Sequence, residues 1–517
     1  MMNRTIFSIA TLAVALIALP ACGDEDPVLT HRDWEGTDTY YASTDAQKQD
    51  IYYKPYVGYV GDPMPFYDPV AGDFKIMYLQ DFRPNPVATY HPIWAVSTAD
   101  AASYTSLGEL IPCGAATEID AALGTGSTIY HEGVYYTFYT AHSADASVTG
   151  FGEAVMLATS TDFKTWTKDR SLLITGGDTY SRTDFRDPFV FEGEDGKFHM
   201  LVSTTSNGKG VLAEFVSSDL RSWSSAGVFM TMVWDRFYEC PDLFKMGDWW
   251  YLVYSEMYSA IRRVQYFKGR TLDELRACTA DEAAVVWPDS HEGFLNSRGF
   301  YAGKTASDGT DRYMWGWCPT RAGNNNLNVG AAPSEPEWAG NLVAHKLVQH
   351  PDGSLSLGEV PAIAGLFAQA ETIPDFTLTG DSYSLMSRLG AENRISFTVT
   401  TRSATDRFGI SLVRGSDSKR YYSIVFNPEN ESTRKINFEE EGEEGIGFVA
   451  GIDGYPFPTP SDGVYRITVV TDNSAVSVYV NDEVAYTNRI YGIARNCWSI
   501  NSYGGEIAIT GLKVSKK

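Results

Sequence analysis

Three acidic residues stand where carboxylates could do chemistry. Asp62 and Asp187 each precede a proline at the start of a hydrophobic strand, in Gly61-Asp62-Pro63 and Phe185-Arg186-Asp187-Pro188-Phe189-Val190-Phe191. Glu239 lies three residues ahead of Asp242 in Tyr238-Glu239-Cys240-Pro241-Asp242-Leu243-Phe244, at roughly the equivalent place. Like charges crowded together raise one another's pKa, so one carboxyl group can stay protonated beside an ionised one. A protonated acid beside a carboxylate nucleophile is the apparatus that cleaves glycosidic bonds. Taken singly, each Asp-Pro could be no more than a turn whose aspartate accepts from backbone N–H groups. Three acids at matching places in a repeat point instead to a shared site.

The repeat is what would bring them together. Asp62-Pro63 opens a strand that turns at Ala71-Gly72-Asp73 and returns through Phe74 to Tyr78. Ser127 to Tyr130 turns at His131-Glu132-Gly133, and Phe185 to Phe191 turns at Glu194-Asp195-Gly196. Asp242-Leu243-Phe244 turns at Met246-Gly247-Asp248, and Phe300-Tyr301-Ala302 at Asp308-Gly309. Glycine-containing turns between apolar runs are hairpin signals. Five such units, about 55 to 65 residues apart and without helical periodicity, predict a five-bladed β-propeller. In a propeller the first strands converge on the central axis, so acids far apart in sequence meet at the channel mouth. A second echo, a polar turn closing a strand, recurs at Ser97 to Asp100, Ser160 to Trp166 and Ser217 to Trp223.

The remaining chain divides around that repeat. Thr5 to Leu19 is an apolar run of signal-peptide length behind a short basic start. It ends in Leu19-Pro20-Ala21-Cys22, which resembles a bacterial lipoprotein signal with Cys22 as the lipidated first residue. The expected division is a leader over 1–22, a polar tether over 23–45, the propeller over 46–360 and a second domain over 361–517. In that last domain, strands such as 394–399, 421–426 and 464–470 alternate with period 2, which predicts an all-β sandwich. The acidic run Glu439 to Glu444 reads as an exposed loop, and Cys113, Cys240, Cys278, Cys318 and Cys497 read as buried thiols without zinc-type spacing. A net charge of −24 argues against nucleic acid and anionic membrane surfaces as partners. It suits a neutral substrate, and aromatic content of 13% suits sugar stacking. No cofactor or metal is expected.

These strings resemble glycoside hydrolase family 32, the fructan and sucrose hydrolases. The resemblance covers nearly the whole mature chain and implies the same propeller and sandwich. Phe185 to Pro188 is similar to the family's Arg-Asp-Pro motif, and Glu239-Cys240-Pro241 to its Glu-Cys-Pro motif. Gly61-Asp62-Pro63 stands where the family has Asn-Asp-Pro. The resemblance implies Asp62 as nucleophile, Glu239 as acid/base and Asp187, held by Arg186, as transition-state stabiliser. It also implies sugar contacts from Gln80, Thr125, Ser127, Arg186 and Trp317, with Trp94 as a displaced stacking residue. Gly61, Met64, His91 to Ala95 and Ala344 to Leu347 depart from the family pattern. Those changes cluster at the sugar-binding wall and spare the carboxylates, which implies altered specificity. Retaining hydrolysis of β-fructosidic bonds by a monomer, lipid-anchored in the bacterial cell envelope, is the expected activity. An arabinan- or xylan-type propeller glycosidase and a non-catalytic glycan-binding lipoprotein are the alternatives.

Overall fold

The structure is a computed structural model. It describes residues 51–517 except 56–57, 82–90, 116, 144, 233–237, 257–262, 279–292, 322–325, 327–335, 368, 415–420, 431–434, 442–447 and 451–453. The leader, the tether and Cys22 therefore lie outside the described residues.

Five antiparallel blades follow one another along the chain. The first comprises Tyr59–Asp68, Asp73–Asp81, Ile93–Thr98 and Thr105–Ile111. The second comprises Ala122–His131, Val134–His142, Glu153–Ser160 and Thr167–Ile174. The third comprises Phe185–Glu192, Phe198–Ser206, Lys209–Ser217 and Ser224–Thr231. Glu239–Met246, Trp249–Glu256 and Arg263–Gly269 form the fourth. Tyr301–Ser307, Arg312–Arg321, Pro336–Gln349 and Leu355–Gly358 form the fifth. The ring closes where Gly340 of the fifth blade pairs with Val60 of the first.

The strand-closing turns repeat as the sequence implies. Asp100 accepts from the N–H groups of Ala102 and Ser103 at 2.9 and 2.8 Å, and Asp162 from those of Lys164 and Thr165, both at 2.8 Å. Asp219 accepts from Arg221 and Ser222 at 2.8 and 2.7 Å. One short acidic side chain thus satisfies two backbone donors that the turned chain leaves unpaired.

A short helix, Pro361–Gly365, leads into the second domain. There a seven-stranded sheet built on Glu392–Thr401, Val464–Asp472 and Glu506–Lys516 faces a six-stranded sheet built on Phe408–Val413, Tyr421–Phe426 and Trp498–Ser502. Ile395, Phe397, Val399, Ile467 and Val469 meet Ile410, Ile424, Trp498 and Ile500 in one apolar core. Two expectations fail here. Ile436–Glu441 is a strand and Glu439 is buried in it, so the start of the acidic run is not an exposed loop. Cys240 and Cys318 are buried free thiols, but Cys113, Cys278 and Cys497 are only partly buried.

The domains are joined by a buried arginine. Arg489 donates through Nη2 to the Cys318 carbonyl at 2.7 Å and to Asn341 Oδ1 at 2.8 Å, and through Nε to the Pro319 carbonyl at 3.0 Å. A buried carbonyl stripped of its donor costs about 1–3 kcal/mol. Arg489→Met removes three such donors at once, so urea unfolding should show a loss of about 3 kcal/mol or more. An unchanged midpoint would contradict this account of the interface.

Candidate active site

Each inner strand carries a bulge at the same place, just inside its start. Pairing with the second strand slips between Gly61 and Met64, between Gly124 and Gly126, and between Arg186 and Phe189. It slips again between Glu239 and Asp242, and between Tyr301 and Lys304. At four of the five the first bulged residue has positive φ: Asp62 (21°), Asp187 (57°), Cys240 (53°) and Ala302 (54°). Such backbone is strained by about 1–3 kcal/mol per residue and concentrates at functional sites. A bulge interrupts the in–out alternation of a strand. Two consecutive residues of a blade can then reach the channel mouth, and Gly124 with Thr125, Arg186 with Asp187, and Glu239 with Cys240 all line one cavity of about 470 Å³.

This register corrects one expectation. Glu239 is not the counterpart of the two aspartates. Cys240 is, because Pro241 aligns with Pro63 and Pro188, while Glu239 aligns with Gly61, Arg186 and Tyr301. The three carboxylates nonetheless line the same cavity.

Each acid is held differently. Asp62 accepts from Thr125 Oγ1 through Oδ2 and from Trp317 Nε1 through Oδ1, both at 2.9 Å. Two donors on opposite oxygens fix the carboxylate plane. Asp187 accepts from the Cys240 N–H at 2.8 Å, a group that the bulge has released from its ladder. Glu239 Oε2 accepts from Tyr301 OH at 2.7 Å, and its Oε1 lies 3.6 Å from Arg186 Nη1. Arg186 is itself clamped by Glu153 (3.1 Å) and Asp184 (2.8 Å). Glu153 also faces His142 Nδ1 at 3.2 Å, and His142 lines the cavity.

Burial pushes the Glu239 carboxyl up to about 7, Asp187 adds to the rise, and Arg186 and the Tyr301 hydroxyl oppose it. Burial also pushes Asp187 up, while Arg186 and the Cys240 N–H pull it back. Desolvation is thus the larger cause, with like-charge crowding second. The arrangement supplies a carboxyl group that holds a proton near neutral pH beside a carboxylate fixed by two donors. That is the pairing glycoside cleavage requires.

The other expected residues divide. Thr125 and Arg186 line the cavity. Trp317 is fully buried and bonds to Asp62, so it positions an acid and does not itself line the cavity. Gln80 is fully buried in the second strand of its blade and does not line the cavity. Ser127 ties the second blade to the third, donating to the Pro188 carbonyl (3.0 Å) and accepting from the Val190 N–H (2.9 Å). Trp94 packs against the hydrophobic core and does not line the cavity. Its apolar ring suits either place, and here it lies partly buried against the core.

Trp338, His91, His142 and Tyr301 line the cavity without having been expected. Trp338 accounts for Gly61. A Cβ on Gly61 would overlap the Trp338 indole, which therefore fills the space next to Asp62 that a side chain at 61 would need. His91 stacks on the same indole with ring centroids 4.4 Å apart. The departure at Gly61 thus replaces an amide with an aromatic wall.

Family models match both domains: "Glycosyl hydrolases family 32 N-terminal domain" over residues 52–356, and "GH32, BT1760-like, C-terminal domain" over residues 353–514. The chain belongs to glycosyl hydrolase family 32. Among curated relatives, it is 26% identical over 386 residues to the raffinose invertase of Escherichia coli, covering 71% of this chain and 74% of that protein. It is 24% identical over 378 residues to a sucrose-6-phosphate hydrolase of Escherichia coli, with the same coverage of 71% and 74%. Among solved structures, fructan 1-exohydrolase IIa from Cichorium intybus superposes with a TM-score of 0.70 at 15% identity, over 92% of this chain and 98% of that one. The GH32 β-fructofuranosidase of Bombyx mori does so with a TM-score of 0.64 at 16% identity, over 94% and 98%. These superpositions concern the fold.

A proton-holding Glu239 has a consequence for pH. The Tyr301 hydroxyl stabilises the ionised form, so Tyr301→Phe should raise the Glu239 pKa. Activity that needs the protonated acid is lost as pH rises through that pKa. The basic limb of kcat/KM should therefore move to higher pH in Tyr301→Phe, and a limb that stays put or moves down would refute the assignment.

Proposed function

We propose that this chain is a retaining glycoside hydrolase that cleaves β-fructosidic bonds in fructans, fructo-oligosaccharides or sucrose-like substrates. The observation that carries the reading is the gathering of Asp62, Asp187 and Glu239 from three blades around one cavity. Asp62 attacks the anomeric carbon, and Glu239 gives its proton to the departing oxygen as that bond breaks. A fructosyl group is then bonded to Asp62. Glu239, now ionised, takes a proton from water, whose oxygen displaces Asp62. Asp187 accepts hydrogen bonds from ring hydroxyls while positive charge develops on the sugar. Family membership supports the reading, as do relatives named for raffinose and for sucrose phosphate. A net charge of −24 favours a neutral sugar over a phosphorylated one.

The catalytic residues are Asp62, Asp187 and Glu239, and Thr125, Arg186, His142 and Trp338 contact substrate. The division between propeller and sandwich falls near residues 360 and 361, close to where the two family matches meet at 353–356. The protein acts as a monomer. Sucrose, raffinose, inulin and levan should be tested with wild type, Asp62→Asn and Glu239→Gln. Wild type should release fructose with retained anomeric configuration on at least one of them, and each variant should lose at least about a thousandfold in kcat, the order expected of such groups. Full activity in either variant, or an inverted product, would defeat the mechanism.

We also propose that Cys22 carries the lipid that holds the protein in a bacterial envelope, on the strength of Leu19-Pro20-Ala21-Cys22 behind an apolar run. Cells fed labelled palmitate should label the wild-type protein and not Cys22→Ser. An unlabelled wild type would rule the anchor out.

A further inference from the structure

The residues that resume pairing after each bulge form a second layer below the acids. They are Met64, Gly126, Phe189, Asp242 and Lys304, one from each blade, and none of them lines the cavity above. Their contacts show that they meet at the axis. The Gly126 N–H donates to Met64 Sδ at 3.1 Å, and Lys304 Nζ lies 5.3 Å from the Phe189 ring centroid. Lys304 Nζ also donates to the Gly126 carbonyl at 2.8 Å. That bond crosses the axis, because the fifth and second blades are not neighbours. Lys304 is 2% exposed.

A fully buried ammonium is costly unless something needs its charge. Asp242 of the fourth blade is the nearest candidate by layer, but it is otherwise provided for. It accepts from the Thr305 N–H (2.8 Å) and Oγ1 (2.6 Å), and Arg312 lies beside it. Burial pulls the Lys304 ammonium's pKa below its ordinary value, and the charged and titratable groups around it that oppose the fall are Cys240 and Asp242 of the fourth blade, Asp187 of the third and Asp62 of the first. From the second blade it meets the Gly126 carbonyl. Gly126 follows Thr125, whose hydroxyl holds Asp62.

We propose that Lys304 is a positioning residue of the active site, a buried cation set across the propeller axis under the carboxylates so that Asp187 stays anionic beside Asp62. The bond to Gly126 holds the ammonium at the axis, and its charge acts on the layer above. Removing the charge leaves Asp187 with Arg186 as its cationic neighbour and with the opposing field of Asp62. Lys304 does not line the cavity.

Charge and scaffolding can be separated. Lys304→Gln keeps a donor for the Gly126 carbonyl and drops the charge, whereas Lys304→Arg keeps the charge. Aspartate 13Cγ resonances should be titrated without substrate in wild type and both variants, with Asp187→Asn to assign the signal. The Asp187 midpoint should rise by about one pH unit or more in Lys304→Gln and stay near wild type in Lys304→Arg. The acid limb of kcat/KM should follow the same order, with KM little changed. A Lys304→Gln protein that titrates like wild type would reduce Lys304 to scaffolding and overturn the proposal. Should Lys304→Gln not fold, Lys304→Met refolded with Lys304→Arg as control carries the same expectation, and failure of Lys304→Arg to hold the wild-type midpoint also overturns it. The inference rests on Asp187 belonging to a working acid cluster. Because the titration needs no turnover, an inactive wild type would defeat the proposed function and leave this result readable.

Discussion

The site depends on a ring of hydrogen bonds that five β-bulges make possible. A regular strand spends each backbone N–H on its neighbour and shows alternate residues to opposite faces. The bulges suspend both rules at one height in all five blades, and the freed groups reach across to the next blade. Thr125 of the second blade donates to Asp62 of the first, and the Asp187 N–H of the third to Thr140 of the second at 2.9 Å. Cys240 of the fourth donates to Asp187, Tyr301 of the fifth to Glu239, and Trp317 of the fifth to Asp62. Every blade is thereby fixed to another through an active-site residue. Strain at Asp62, Asp187, Cys240 and Ala302 is stored in the same ring.

That ring also gives the two acids different surroundings, which fit the roles proposed for them. Asp62 has a donor on each oxygen that holds it in one orientation, which suits the nucleophile proposed for it. Glu239 has a hydroxyl on one side and a guanidinium 3.6 Å away on the other, and burial lifts its pKa toward neutrality. Identical chemistry in two carboxyl groups is thus set in two different surroundings. The Arg186–Glu153–His142 chain extends the same order to a further residue of the cavity lining.

Much of this was legible in the chain itself. Turn glycines between apolar runs disclosed five blades because each hairpin is local, and alternation over the last part of the chain disclosed the sandwich. The Asp-Pro and Glu-Cys-Pro strings disclosed the acids. What escaped was whatever depends on register or on distant contacts. Glu239 was matched to the aspartates through Asp242, whereas the prolines at 63, 188 and 241 mark the true alignment one residue away. Gly61 looked like a lost sugar contact, and only the position of Trp338, far along the chain, shows the space refilled. Trp94 and Ser127 have side chains equally suited to a wall or to packing, and no local pattern encodes that Ser127 is buried and Trp94 lies partly buried against the core. Lys304 gave no signal because a lone lysine in an inner strand has no spacing partner.

The claim at the centre is that Asp62 becomes covalently bonded to the sugar while Glu239 manages the proton. A fructosyl donor with an activated leaving group, such as fructosyl fluoride, should react with Glu239→Ala and stall there, since departure no longer needs the acid and water attack lacks its base. Mass spectrometry of proteolytic peptides should then find one added hexosyl residue on Asp62. A hexosyl adduct on any other residue, or turnover without any adduct, would contradict the account.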